Sequence, residues 1–131
     1  SDEAARRPPD PPAPSPARCF DLGQALARAL KPSPWRIALI ATASFSHAFL
    51  TAKNHFFYPD MESDRARFAE LASAWRALDL ATLESCGQHE LVNWSPMIGA
   101  MAELGQNPEY CVLLESWLMN SNKCVTVIPP K

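Results

Sequence analysis

Apolar positions along the chain follow a helical rhythm in places and run almost unbroken in others. Within residues 17–30, Leu22, Ala25, Leu26, Ala29 and Leu30 recur on one helical stripe. Lys31-Pro32-Ser33-Pro34 ends this helix, because a residue that precedes proline is pushed out of the α region. The next run, residues 35–42, is nearly continuous in apolar side chains and has the length of a strand. It predicts a strand buried on both faces, as in a parallel sheet covered by helices. Asp60 predicts the cap of a second helix, with Glu62 in its first turn. Phe68, Leu71, Trp75 and Leu78 carry that amphipathic pattern onward. A third helix is predicted from Ser85, where Ser85-Cys86-Gly87-Gln88 fits a capping box, to about Leu104. Pro96 predicts a kink in it and Gly105 a stop. Residues 110–118 and 123–128 read as strands around Asn120-Ser121-Asn122. No internal repeat is present, and helices interleaved with buried strands predict an α/β domain.

Composition narrows the possibilities. The chain has 131 residues, 47% of them apolar, with 12 basic and 14 acidic side chains. That suffices for one domain with a real core. A net charge of −2 without a Lys/Arg run argues against a general nucleic-acid binder, which needs clustered cations to displace counterions. No apolar run is long enough to cross a bilayer, and the opening SDEAARRPPDPPAPSP lacks the apolar centre of a secretory signal. The expectation is a soluble, cytoplasmic chain. Residues 1–16 hold six of the 13 prolines and read as an extended arm or linker; residues 17–131 form the domain. Cys19, Cys86, Cys111 and Cys124 contain no C-x-x-C pair, so a zinc ribbon is excluded and four separate thiols are expected.

Three histidines are available for chemistry: His47, His55 and His89. His47 follows the predicted buried strand at its carboxyl end, where α/β sheets place ligand sites. A loop histidine bonded to a nearby carbonyl is the plainer reading. His55, in the aromatic stretch Asn54-His55-Phe56-Phe57-Tyr58, is read as structural. His89-Glu90-Leu91-Val92-Asn93 misses the zinc-protease pattern because Asn93 stands where a second histidine is required. On an α-helical wheel, Leu91, Trp94, Met97, Ile98, Met101 and Leu104 form an apolar arc that includes Glu90. A carboxylate there must be met by a metal, an Arg or Lys, or backbone amides. The other reading is a first-turn glutamate favoured by the helix dipole and partly solvated. Asn93-Trp94-Ser95 is an incidental sequon, and no G-x-S-x-G, phosphate loop or G-x-G-x-x-G occurs.

Three segments in order, residues 17–24 (ARCFDLGQ), 44–51 (SFSHAFLT) and 87–94 (GQHELVNW), with residues 120–124 (NSNKC) near the end, resemble a known family. It is the class III extradiol ring-cleavage dioxygenases of the LigB-like, protocatechuate 4,5-dioxygenase beta-subunit type. The resemblance covers residues 18–131 and implies part of a helix-covered, mostly parallel sheet. It implies non-haem Fe(II) held by two histidines and one glutamate, a facial triad that leaves positions open. The family's glutamate ligand maps onto Glu90, and its acid/base histidine onto His47. The implied reaction cleaves a catechol-type ring beside the diol with O₂, with His47 moving protons. In the family the two iron-binding histidines lie in an N-terminal half that has no counterpart here, and neither His55 nor His89 matches them. The chain therefore reads as a C-terminal half, completed by a second polypeptide that carries the two histidines. The alternative is a non-catalytic binding or assembly subunit that keeps the fold without the metal. The residues contacting the aromatic ring are not legible.

Overall fold

A computed structural model describes residues 13–70 and 72–129. Most of the proline-rich arm, residues 1–12, lies outside them. Helix α1 (Pro16–Leu30) starts at Ser15, whose side chain accepts the Arg18 N–H, and carries a proline in its first turn, where no N–H partner is lost. It packs along α5 (Ser95–Leu104). Phe20, Gly23 and Ala27 make the contact, whereas Leu22, Leu26 and Leu30 face outward. The buried stripe is thus the one with the small residues. A methyl group on Gly23 would overlap the Pro96 carbonyl, and one on Gly99 the Phe20 carbonyl, so the two backbones meet where only glycine fits.

The second amphipathic stretch is not one helix. Helix α2 (Met61–Ala69) is capped by Asp60, as its sequence predicts, and ends at Glu70 in extended backbone; α3 (Ala72–Arg76) follows. The Trp75 indole N–H bonds the Arg67 carbonyl, which also accepts the Glu70 N–H that closes the end of α2. This break turns Trp75 into the core, where its ring lies 6.4 Å from that of Trp94 in a stacked pair. Tertiary packing overrides the period here. The predicted third helix is likewise divided. Asp79 caps α4 (Leu80–Ser85), and Gly87, with φ of 68°, closes it in the left-handed region. A 3₁₀ segment (His89–Trp94) then leads into α5, which ends at the left-handed Gly105 as predicted.

Strands β1 (Tyr110–Leu114) and β2 (Lys123–Val127) pair antiparallel, with Val112 opposite Val125. The described residues are therefore a mixed helical structure with a small two-stranded antiparallel sheet. The run at 35–42 is not a buried strand: it has no regular structure, and Trp35, Ile37, Leu39 and Ile40 are exposed. A strand needs a neighbour to bond, and the first backbone bond to the sheet side comes only at Phe45, whose N–H reaches the Asn122 carbonyl at 3.3 Å. Phe45, Trp75, Leu83, Leu91, Trp94 and Met97 form the core. Among the described residues no helix is long and apolar enough to cross a membrane.

Candidate functional site

The site lies where the loop 44–47, the turn 120–122 and the start of the 3₁₀ segment converge. The loop is pinned by backbone bonds: His47 N–H to the Gly87 carbonyl (3.0 Å) and Ala48 N–H to the Asn120 carbonyl (2.7 Å). Beneath it, the fully buried Asp64 carboxylate accepts from Ser46 N–H (3.0 Å), Ser46 Oγ (2.7 Å), Gln88 Nε2 (2.7 Å) and Asn122 Nδ2 (2.7 Å). Ser46 Oγ accepts in turn from the Asp60 N–H at 2.7 Å. A buried carboxylate persists only with such a set of donors, and this one fastens three distant stretches of sequence to one point.

His47 is buried, and its ring is held by a hydrogen bond at one nitrogen, Nδ1. Asn120 Nδ2 lies 3.2 Å from Nδ1 and donates to it. The neutral ring therefore carries its proton on Nε2, which lies 3.4 Å from Glu90 Oε1. That distance is within reach of an ion pair, yet Nε2 has no aligned hydrogen bond. Its proton is held in place and uncommitted.

Glu90 differs from the reading of the helical wheel. Its side chain is 49% exposed, because residues 89–94 follow a 3₁₀ path of three residues per turn that seats Leu91 and Trp94 inward and leaves Glu90 at the rim. Of the partners considered for it, a backbone amide is present: Ser44 N–H donates to Oε2 at 2.9 Å. That bond holds the Glu90 carboxyl below the usual range; partial burial opposes it, and His47 and Lys123 add to it. Lys123 bonds the hydroxyls of Ser44 (3.0 Å) and Ser121 (2.5 Å), at the edge of the same site.

The two residues singled out by sequence thus meet across the fold. His55 and His89 do not join them: both are exposed, and His55 sits in left-handed backbone with φ of 53°. Asp64 carried no recognisable site signal, and Gln88 lies within the 87–94 segment of the resemblance without a role attached there. Asn120, Asn122 and Lys123 do fall within the NSNKC segment of the resemblance, without a role attached there. The four cysteines are free thiols. Among the described residues, no three His, Cys, Asp or Glu side chains converge as a metal centre. Glu90 offers one carboxylate, so these residues alone do not fit a three-ligand iron site. Compared with known proteins, the chain matches no family model, no curated protein and no solved structure.

Proposed function

We propose that this chain is the C-terminal half of an extradiol ring-cleavage dioxygenase, active on a catechol-type aromatic substrate with O₂ when a second polypeptide completes the site. The observation that carries this reading is the meeting of His47 Nε2 and Glu90 Oε1 at 3.4 Å from segments far apart in sequence. An imidazole whose Nδ1 is engaged and whose Nε2 proton is unshared can exchange a proton with a hydroxyl brought beside it. A half-exposed carboxylate next to it leaves room for a cation supplied with further ligands from the partner. In the assembled protein, Fe(II) is held by Glu90 and two histidines of the partner polypeptide. The partner's strands then extend the sheet into the helix-covered, mostly parallel one that the resemblance implies.

The test is made on the complex assembled anaerobically with Fe(II). Glu90→Ala abolishes iron retention, whereas His47→Ala keeps iron and slows ring cleavage. Wild-type cleavage by both variants would overturn the proposal. A second reading, a binding or assembly subunit without metal, is favoured by one feature: the Ser44 amide and nearby Lys123 already stabilise the Glu90 charge. On that reading neither substitution changes any oxidation, and the chain co-purifies with its partner free of iron.

A further inference from the structure

The segment at 36–43 carries eight consecutive residues whose backbone N–H and C=O groups make no hydrogen bond within the described chain. Phe45 bonds Asn122 at its end, and Ala38 and Leu39 line the same open groove as Thr126 and Val127 near the end of β2. This groove, about 870 Å³, is walled on the other side by Leu26 and Leu30 of α1 and Met101 of α5. Trp35 and Ile40 are 78% and 80% exposed on the segment itself. We propose that this face is a docking site for a β-strand of a different polypeptide, apolar through its middle and acidic at its flanks.

Three observations select that occupant. A row of unpaired amides and carbonyls is matched by another backbone, and by neither an acyl chain nor a small apolar molecule. The groove admits apolar side chains, which the pleat of an added strand presents on one face. Its charged lining residues are Lys31 and Arg36, neither of which has an ion pair among the described residues. A second copy of this chain would bring the same two cations to the face, whereas acidic flanks neutralise them. Residues 1–12 are a poor occupant as well, since four of them are prolines without an N–H to give.

The surface is argued from backbone and charge, so its failure leaves the ring-cleavage reading untouched, and its test reads no turnover. The probe is a nine-residue peptide of alternating valine and threonine with glutamate at each end. Its amides along one edge are N-methylated, so it adds to a strand without stacking on itself. It is titrated into the full isotopically labelled chain while amide hydrogen exchange is followed residue by residue. The expected result is saturable protection, more than tenfold, confined to the 36–43 stretch. Lys31→Glu combined with Arg36→Glu, both at exposed positions, then reverses the preference toward a lysine-ended peptide. No protection at saturating peptide, or protection elsewhere, overturns the proposal. So does protection without peptide, whether it rises with protein concentration (a second copy) or disappears when residues 1–12 are deleted (the arm).

Discussion

The carbonyl oxygen of Phe20 occupies the space that a side chain at Gly99 would need. Gly23 stands in the same relation to Pro96 one turn further along α1, so the α1–α5 contact is made twice by bare backbone. Overpacking a contact of this kind costs about 1–3 kcal/mol. Gly99→Ala and Gly23→Ala are each expected to lower the unfolding free energy by that order, read as a fall in the urea midpoint. Ala→Gly at the exposed Ala25 serves as the helix-propensity control. An unchanged midpoint in both glycine variants would show that the helices are not in contact as described.

Asp64 answers four donors, and removing its carboxylate leaves them unpaired in the interior. Each buried unsatisfied group costs about 1–3 kcal/mol. Asp64→Ala is expected to lose about 3 kcal/mol or more in equilibrium unfolding, and Asp64→Asn less. Because the network carries the loop of His47, the His47 ring resonances shift in the Asn variant even where the fold survives.

Two acidic groups tie stability to pH. The Ser44 amide, aided by His47 and Lys123, holds Glu90 below the ordinary carboxylate range against partial burial. Burial opposes ionisation of Asp60 too, but the Lys53 ammonium and the Ser63 bonds outweigh it and lower its pKa. A carboxyl whose folded pKa is depressed adds stability above its unfolded pKa, and that contribution disappears as pH falls through the folded value. Stability is therefore expected to be flat near neutrality and to fall below about pH 4. Asp60→Asn should flatten the acid limb of a denaturation series run from pH 7 to pH 2.5. An unaltered limb would remove Asp60 from the account.

Thiol reactivity separates the two strands of the hairpin. Cys111 on β1 is exposed, whereas the partly buried Cys124 on β2 has its thiol pushed up to about 12 by burial, with Cys111 beside it. The thiolate is the nucleophile, so iodoacetamide at pH 8 is expected to label Cys111 well before Cys124. Mass spectrometry of timed digests reads the order directly. Equal rates would mean that the hairpin is open in solution.

What the sequence makes legible is set by how local each signal is. Asp60 as a cap, Gly105 as a stop and the two strands of the hairpin are readable because turn and cap chemistry acts within a few residues. The breaks at Glu70 and Gly87 are not, since the apolar period runs across them and the indole of Trp75 and the backbone at Gly87 decide the matter in three dimensions. The stripe of α1 misleads for a related reason. The leucines mark its apolar face, yet the small residues mark the face that can approach α5. At the site, His47 and Glu90 are visible through their chemistry and sequence context. Asp64 is one carboxylate on a helix of mixed charge, with nothing local to mark it as buried.

The Asp64 network also sets an order of events. Its donors come from positions 18, 24 and 58 residues away along the chain. The last of these, Asn122, closes the longest loop, and the same turn supplies the Asn120 amide that orients His47. Long-range closures of this kind are slow and come after local helices have formed. The helices can therefore assemble while the histidine is still free to rotate, and the site acquires its tautomer only when the final hairpin docks.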